Sequence, residues 1–439
     1  MSSLIDPRVL KGFRDFLPEQ ERERQEIETT LARTFESYGF VPIDTPVLEY
    51  TDILLGKGGG ETDKQIYRFS DHGGRDIALR FDLTVPFARF MAAHVHELYL
   101  PFKRYHVAKV WRGENTQRGR YREFTQCDFD IVGVDTPSAD FEILQVMERS
   151  FRALGIERVT IHLSHRGIFN RFLAHIGSGS SGAEILRIVD KLSKAGEESV
   201  RSMLEEVVPR ESVGEILAFI RPESSFEATL DKIERMAGGM SEDSERLNLL
   251  RSYMEEVGLS NRFVLDPSIT RGLDYYTGIV YETFLDDLPD IGSVCSGGRY
   301  NNLATLYTKL ELPGVGASIG LDRLTAALEE LNIRRKEAAG AEVIVLCLDD
   351  ALVGHYHAIA ARLREAGLSC EVYPQKRKLA TQFAYAERKG IPIGVICGTE
   401  EHGRATVSLK DLRARAGSEE VPLVQAVDAI LAMKRRPGA

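Results

Sequence analysis

The sequence has few cysteines, five among 439 residues, and only one tryptophan. The cysteines are widely spaced and form no C-x-x-C pair, so neither a disulfide framework nor a zinc knuckle is indicated. They predict a reducing, cytoplasmic setting, and the N-terminal MSSLIDPRVLKGFRDFLPEQ lacks the apolar core of a secretory signal. No apolar run reaches the length of a membrane span. The remaining composition, 43% hydrophobic and 28% charged, is typical of a globular protein with about two or three domains.

A net charge of −10 disfavours a nucleic-acid partner, but the charge is unevenly distributed. From residue 341 onward the chain has 14 Lys and Arg against 12 Asp and Glu, whereas residues 1–340 carry a charge of −12. Local basic patches could form around Lys376 and Lys410. On charge alone, a solvated face explains these residues equally well.

Hydrophobic periodicity divides the first 330 residues into helical and extended parts. Ile27, Leu31 and Phe35 recur at helical spacing before Gly39, which predicts an amphipathic helix over 19–38 with a glycine at its end. The period changes to two over 67–132. A helical pattern then occupies about 170–258, and we interpret it as an insertion in a sheet-based domain.

The last hundred or so residues read as a separate domain. NIRRKEAAGA is charged and rich in small residues, so we predict a linker at 331–340. Beyond it, EVIVLCL, CEVYP and IGVICG alternate with two helical patterns. This order predicts a small α/β domain over 341–439.

Two predicted strands carry unusual polar faces. In IALRFDLTV, period two places Arg80, Asp82 and Thr84 opposite the apolar positions. In REFTQCDFDIVG it places Gln126, Asp128 and Asp130 on one face, together with Phe124. These short hydrogen-bonding groups indicate a binding surface, although an exposed face of an antiparallel sheet remains an alternative.

An arginine-rich hairpin, VWRGENTQRGRYREF, joins two strand patterns through a polar loop. It contains Arg112, Arg118, Arg120 and Arg122. Guanidinium groups suit phosphate oxygens, and Phe124 could stack on a base, so the hairpin could hold a nucleotide. Contact with nucleic acid and simple solvation remain open for the hairpin by itself.

Three glycine-rich segments complete the set of candidate motifs. GKGGGETDK at 56–64 lacks the order of residues that a Walker A loop needs, and we interpret it as a mobile loop. SVCSGGRYNNL and VGASIGLDRL place glycines within strand-like segments, which indicates close approach of the backbone to a ligand. In the second segment, Arg323 lies at a predicted helix start.

Taken in order, these motifs resemble those of the class II aminoacyl-tRNA synthetases, and specifically the histidyl-tRNA synthetase family. The hairpin is similar to the second class motif, GLDRL to the third, and ESYGFVPIDTPVLE with Pro46 to the first, dimer-forming motif. RGLDYYTG and GGRYNNL are similar to segments peculiar to the histidine enzymes. The resemblance implies an α+β fold with an antiparallel-sheet catalytic domain at 1–330, followed by an anticodon-binding domain at 341–439.

The resemblance also implies substrates, partners and residue roles. It implies ATP with Mg²⁺, L-histidine, tRNA(His) and a homodimer, with no metal bound by protein side chains alone. Arg112 and Arg271 would be the catalytic residues that hold the α-phosphate. The residues implied for ATP are Arg112, Glu114, Arg120, Phe124, Arg271 and Arg323. The residues implied for histidine are Asp82, Thr84, Gln126, Asp130, Arg271, Tyr275, Tyr276 and Tyr300.

Some features depart from the family pattern or leave alternatives open. Asp82 stands where many relatives have Glu, Asn301 where Asp is usual, and Gly113 where a larger residue is common. Arg271 could instead form a structural ion pair with Asp274. The family also includes regulatory proteins that bind histidine and assist an ATP phosphoribosyltransferase without charging tRNA, which is the alternative function.

Overall fold

A computed structural model describes residues 4–56, 64–270, 276–333, 340–414 and 417–435. The chain divides into two compact units, Met1–Arg334 and Arg335–Ala439. The predicted loop at 56–64 and linker at 331–340 fall mainly on residues outside the described ranges. Each unit is described by itself.

The first unit combines helices and strands. Its described helices are α1 Pro18–Ser37, α2 Thr51–Leu55, α3 Thr84–His94, α4 Pro137–Ala153, α5 Arg166–His175, α6 Gly182–Val189, α7 Leu192–Glu205, α8 Arg210–Ile220, α9 Phe226–Met236, α10 Glu242–Glu256 and α11 Leu321–Glu330. Its described strands are β1 Val41–Pro42, β2 Leu48–Tyr50, β3 Arg68–Ser70, β4 Asp76–Leu79, β5 Phe102–Trp111, β6 Glu123–Val132, β7 Val159–His165, β8 Phe263–Leu265, β9 Ile279–Leu285, β10 Cys295–Arg299 and β11 Gly314–Gly320.

Eight of these described strands form one sheet in the order β1-β5-β6-β11-β10-β9-β7-β8. The five inner pairings are antiparallel, whereas β1 with β5 and β7 with β8 are parallel. Strands β2, β4 and β3 form a separate three-stranded sheet. The predicted, mainly antiparallel sheet of the first domain is therefore confirmed.

One face of the large sheet is covered by α1 and α4. Helix α1 has Pro18 at its first position, and Gly39 follows it with a positive φ of 80°, a conformation that glycine adopts without strain. Ile27, Leu31 and Phe35 are fully buried, as their spacing predicts. Phe35 lies 4.7 Å from Phe129 of β6, measured between ring centroids.

The strand predicted through residues 77–85 is shorter than expected. Strand β4 ends at Leu79, and helix α3 begins at Thr84. Asp82 Oδ1 accepts a hydrogen bond of 3.1 Å from the Val85 amide, which satisfies one of the free N–H groups at the helix start. The extended prediction was wrong because alternating residues also fit a strand end followed by a capped helix.

Helices α5–α10 lie between β7 and β8 in the chain. Their buried side chains belong to the same apolar cluster as those beneath the sheet. Phe172 of α5 and Phe219 of α8 stack with ring centroids 4.1 Å apart and an interplanar angle of 11°. The helical segment thus contributes to the main core of the first unit.

The second unit has its own five-stranded sheet in the order β13-β12-β14-β15-β16, counted over the described residues. Its elements are β12 Val343–Val345, α12 Val353–Glu365, β13 Cys370–Val372, α13 Leu379–Arg388, β14 Ile393–Ile396, α14 Thr399–Arg404, β15 Thr406–Asp411, β16 Glu419–Pro422 and α15 Ala426–Arg435. The predicted α/β order through β14 is confirmed. The periodicity analysis missed β15 and β16, which extend the sheet antiparallel from β14, and the helices α14 and α15.

The inner strand β12 of this second sheet is buried on both faces. Val343 and Val345 pack into one apolar cluster, whereas Ile344 packs into another on the opposite face. Such strands read as continuous apolar runs in sequence. In the part of the chain that the structure describes, no helix is both long and apolar enough to cross a bilayer.

Adjacent leucines in α10 test the packing of the helical segment. Leu250 is fully buried, whereas Leu249 is 44% exposed. We expect Leu250→Ala to lower the free energy of unfolding by about 2–5 kcal/mol because it leaves a cavity. Leu249→Ala, the matched control, should cost less than about 1 kcal/mol. Urea unfolding followed by circular dichroism measures both values, and equal losses would contradict the packing described here.

Candidate functional site

A cavity of about 400 Å³ lies in the first unit, on the face of the sheet opposite α1. Strands β6, β10 and β11 form its floor, and the loop between β5 and β6 contributes to its wall. The starts of α3 and α11 also line it. The cavity therefore collects residues that are far apart in the sequence.

Most of the residues predicted to bind ATP lie together in this cavity. Those that line it are Arg112, Glu114, Arg120, Phe124 and Arg323. The Arg112 guanidinium lies 5.2 Å from the centre of the Phe124 ring, and its Nε donates a 2.9 Å hydrogen bond to the Phe81 carbonyl. Arg323 donates from Nη1 to the Ser293 carbonyl. These contacts fix two of the cations at the cavity surface.

The hairpin arginines do not all point to the same place. Arg120 Nη1 lies 3.5 Å from Glu114 Oε2 inside the cavity. Arg118 is 65% exposed, pairs with Glu330 at 2.8 Å and does not line the cavity. Arg122 donates from Nε to the Glu114 carbonyl. Two of the four hairpin arginines, Arg112 and Arg120, thus reach the cavity.

Four of the residues predicted to bind histidine also line the cavity: Asp82, Thr84, Gln126 and Tyr276. Gln126 Nε2 donates a 2.7 Å hydrogen bond to Ser318 Oγ, which fixes the amide orientation. Gln126 Oε1 and Asp82 Oδ2 are buried and have no hydrogen-bond donor among the described residues. Buried oxygens of this kind are suited to a ligand with several N–H donors, such as an ammonium group.

Asp130 and Tyr300 lie together but do not line this cavity. The Tyr300 hydroxyl donates a 2.5 Å hydrogen bond to Asp130 Oδ1, and Arg104 Nη2 lies 2.7 Å from Asp130 Oδ2. Arg104 is fully buried, with its guanidinium 4.2 Å from the Phe87 ring centre. Arg271 and Tyr275 fall outside the described residues, as does Asp274, the alternative partner of Arg271.

Sequence reasoning missed Arg104 and assigned no role to Asp128. Period two along β5 places Arg104 and His106 on one face, so the signal for a buried charge was present in the sequence. In the sheet, Asp128 pairs in register with His106 on one side and Ser318 on the other. Asp128 Oδ1 is buried without a donor among the described residues. The polar face of β6 therefore carries a further carboxylate near the site.

Burial makes these carboxylates unusually basic. It raises the pKa of Asp82 to about 6, against the opposing effects of the Val85 amide and Arg112. It raises the pKa of Asp128 to about 7, with Arg104 lowering it and Asp130 raising it. Burial also raises the pKa of Asp130, while Arg104 and Tyr300 oppose the shift. A bound cation would favour the charged forms.

The cavity thus offers opposite charges to two parts of a ligand. Arginines and an aromatic ring suit phosphates and a base, and the buried oxygens suit an ammonium. Among the described residues, no group of three or more His, Cys, Asp and Glu side chains is arranged to hold a metal ion. An antiparallel sheet with this cavity, followed by a smaller mixed sheet, is the architecture of a class II aminoacyl-tRNA synthetase.

Comparisons with known proteins identify the family. A family model for histidyl-tRNA synthetase matches residues 12–324, and one for an anticodon binding domain matches residues 342–433. Histidine–tRNA ligase of Treponema denticola is 51% identical to this chain over 99% of the chain and 100% of the relative. The chain belongs to the histidyl-tRNA synthetase family.

Solved structures agree with this family assignment. A histidyl-tRNA synthetase from Nostoc sp. PCC 7120 has a TM-score of 0.86 at 33% identity, covering 98% of this chain and 100% of that one. A Bacillus halodurans protein described as an ATP phosphoribosyltransferase regulatory subunit/histidyl-tRNA synthetase has a TM-score of 0.73 at 20% identity, covering 87% and 97%. The second likeness concerns the fold alone.

Asp128→Asn tests the raised pKa of the buried carboxyl. An unfolded Asp titrates near 3.9, about three pKa units below the folded group, so the folded state binds the extra proton between these values. Wild-type stability therefore contains a contribution that falls as pH rises from about 4 to about 7. Asn cannot ionise, so we expect the stability of Asp128→Asn relative to wild type to increase by about 1–3 kcal/mol from about pH 5 to about pH 8.

Urea unfolding of both proteins at the two pH values measures this difference. Asp290→Asn is the control because Asp290 is exposed and forms no ion pair among the described residues. The same change for both variants, or none for Asp128→Asn, would contradict the raised pKa of Asp128.

Proposed function

We propose that this chain activates L-histidine with ATP, forming histidyl-adenylate and pyrophosphate, and transfers the histidyl group to the 3′ end of tRNA(His). The observation that carries the proposal is the single cavity in which cationic side chains and buried acceptor oxygens lie together. Family membership supports the same reaction, because the Treponema denticola relative is a histidine–tRNA ligase.

For ATP, the proposed contacts follow the chemistry of the side chains. Arg112 and Arg271 hold the α-phosphate, and Arg120 and Arg323 hold the outer phosphates. Planar guanidinium groups bind phosphate oxygens through paired hydrogen bonds. Phe124 stacks on adenine, which is consistent with its position beside Arg112, and Glu114 accepts from the adenine amino group.

Histidine binds at the other end of the cavity in this proposal. Asp82, Thr84 and Gln126 receive the α-ammonium, since two of them present buried oxygens without donors among the described residues. Tyr276 contacts the imidazole from the cavity lining. Asp130, Tyr300 and Tyr275 complete the imidazole pocket in this proposal, which requires that the bound ligand open the cavity toward Asp130 and Tyr300, since neither lines it in this structure. A site that satisfies both imidazole nitrogens would leave buried polar groups unpaired with other side chains, which favours histidine.

Catalysis in this arrangement consists of positioning and charge stabilisation. The carboxylate of histidine attacks the α-phosphorus in line, and the bond to the pyrophosphate oxygen breaks. Arg112 and Arg271 stabilise the charge on the α-phosphate oxygens as the transition state forms. No covalent intermediate with the protein is required.

Mg²⁺ fits the same cavity as a companion of the outer phosphates. Mg²⁺ prefers oxygen ligands and binds mainly through substrate phosphates and one or two carboxylates. Glu282 of β9 lines the cavity and is 5% exposed, so its carboxylate is the protein oxygen we assign to the ion. When bound, Mg²⁺ neutralises charge on the leaving pyrophosphate.

Further parts of the proposal concern the partners and the two units. Residues 1–330 perform activation, residues 331–340 connect the units, and residues 341–439 bind the anticodon of tRNA(His). The proposal also includes a homodimer. Two copies of the chain associate through the segment around Pro46, where the side chains of Val47, Leu48 and Tyr50 are 40%, 43% and 52% exposed. Exposed apolar side chains in one patch favour a protein interface. The protein acts in the cytoplasm.

Regulation of an ATP phosphoribosyltransferase is the second candidate function. The Bacillus halodurans protein, whose description includes a regulatory subunit, shares the fold. The retained Arg112, Arg120 and Arg323 in the cavity favour the ligase, because a protein that only binds histidine has no need of phosphate-binding arginines.

Pyrophosphate exchange into ATP, measured with each of the amino acids in turn, tests the proposed reaction. We expect exchange with histidine alone, because the buried acceptor groups match its donors. Charging of tRNA(His) by the same preparation completes the test. The absence of exchange with histidine would exclude activation of histidine and favour the regulatory candidate.

Arg112→Lys tests the proposed phosphate contact, with Arg271→Lys as a second variant. Lys keeps the charge but loses the planar pair of donors. We expect single-turnover adenylate formation to fall at least about a hundredfold, equivalent to about 3 kcal/mol of transition-state stabilisation, with histidine affinity little changed.

Arg118→Lys is the matched control, because Arg118 belongs to the same hairpin and lies outside the cavity. Its adenylation rate should remain within about twofold of wild type. Near-normal rates in Arg112→Lys, or losses that follow its melting temperature, would remove Arg112 from the catalytic residues. For Arg271→Lys, a near-normal rate would favour the ion pair with Asp274.

A further inference from the structure

A short N-terminal strap, residues 12–17, bridges two elements of the ATP side of the cavity. The Gly12 carbonyl accepts a 2.8 Å hydrogen bond from the Arg122 amide in the hairpin. Gly12 has a φ of 88°, and a Cβ there would lie 2.7 Å from the Arg122 side chain. Phe13 packs edge-on against Tyr67, with ring centroids 6.2 Å apart. The strap is therefore held closely against the hairpin.

Arg14 connects this strap to the start of α11. Its guanidinium lies 2.5 Å from Asp322 Oδ1 and 3.8 Å from the centre of the Tyr121 ring. The Phe16 ring is also close, at 4.5 Å. Arg14 thus contacts the hairpin by stacking and the helix by an ion pair. The stacking contact depends on the planar shape of the guanidinium, whereas the ion pair depends on its charge.

Asp322 is the centre of this network. Arg24 of α1 lies 2.8 Å from the same Asp322 Oδ1 and donates a 3.0 Å hydrogen bond to Thr125 Oγ1. Asp322 Oδ2 accepts a 2.7 Å hydrogen bond from the Thr125 amide. A single carboxylate therefore links the strap, α1, β6 and α11. The side chains of Arg24 and Asp322 are almost completely buried.

Each anchored residue is the chain neighbour of a proposed ATP contact. Asp322 precedes Arg323, Thr125 follows Phe124, and Tyr121 follows Arg120. Gly119 packs directly on Arg323, since a Cβ at Gly119 would lie 3.3 Å from the Arg323 Cα. A movement of the network would consequently displace several phosphate and adenine contacts together.

We propose that Arg14 is a positioning residue for ATP, which holds the hairpin and the start of α11 in the register that places Arg120, Phe124 and Arg323. The inference rests on the proposed function of the cavity. Arg14 itself does not line the cavity and touches no substrate in this arrangement. Its effect falls mainly on the ATP side: Thr125 also precedes Gln126, but the Gln126 amide is held separately by Ser318, and Asp82 by the start of α3.

Loss of Arg14 should leave the fold intact. Its side chain is 32% exposed, and Asp322 would keep Arg24 and the Thr125 amide as partners. No buried charge is left unpaired, so the large penalty of breaking a buried ion pair does not arise. Arg14→Gln therefore tests positioning without removing the core of the network.

The experiment compares Arg14→Gln, Arg14→Lys and Arg8→Gln in histidine-dependent pyrophosphate exchange, using the full chain. We expect Arg14→Gln to raise the KM for ATP about tenfold and to leave the KM for histidine within about twofold. Arg14→Lys should be intermediate, because an ammonium can pair with Asp322 but cannot stack flat on Tyr121. Arg8 is exposed, and Arg8→Gln should match wild type.

Two further measurements separate positioning from other causes. In an Arg323→Gln background, the effect of Arg14→Gln on the KM for ATP should shrink, because both changes disturb the same contact. Calorimetric titration with ATP should show the same weakening without relying on catalysis. If wild type binds ATP but lacks exchange, the proposed reaction fails while the titration still decides the role of Arg14.

Three results would overturn the positioning role. They are an unchanged affinity for ATP in Arg14→Gln, equal increases in the KM values of both substrates, and a loss explained by a lower melting temperature.

Discussion

Close packing between the glycine-containing strands β10 and β11 and their neighbours is the constraint on which the site depends. A Cβ at Gly316 would lie 2.0 Å from Asp130 Oδ1, and one at Gly297 would lie 2.2 Å from the Gly316 carbonyl oxygen. At Gly298 it would lie 2.6 Å from the Ile279 carbonyl oxygen. Any larger residue would separate the strands or displace the buried carboxylate. The absence of these side chains lets the backbone form the floor of the cavity while Asp130 and Tyr300 lie beside it.

The second constraint is electrostatic. Asp82, Asp128 and Asp130 are buried, and Arg104 is the fully buried guanidinium that faces them. Burial of charged groups is costly unless they are paired, and the cost appears here as raised pKa values of the carboxyls. The buried carboxyls lower the stability of the folded chain, and the same carboxyls attract a cationic ligand. Perturbed pKa values of this kind are common where a site must bind a charged group.

The cations are held by a different arrangement. Arg112, Arg120 and Arg323 come from a hairpin and a helix start, which the pairing of β6 with β11 brings together. Their backbones are supported by Asp322 and its partners Arg14, Arg24 and the Thr125 amide. Rigid supports of this type are needed when catalysis depends on the placement of charges. The two ends of the cavity are therefore stabilised by separate contacts, one around Arg104 and one around Asp322.

Local patterns in the sequence determined much of the fold. The spacing of Ile27, Leu31 and Phe35 predicted α1, and the alternation in β6 separated its apolar face from its polar face, because both depend on repeats within one element. The alternation did not show that both faces of β6 are buried. The ordered motifs identified the family and the candidate residues. Alternation failed after Leu79, where Asp82 accepts a hydrogen bond from the first turn of a helix, since a short polar side chain fits either a strand or a helix start.

Only the tertiary structure decided which charges meet. It brought Asp322 to Arg14, 308 positions away, and excluded Arg118 from the cavity although its hairpin neighbours enter it. It also placed Asp130 beside Arg104 and Tyr300 rather than in the cavity lining. Such pairings depend on strand order and register, which long-range packing fixes and which no local repeat in the sequence encodes.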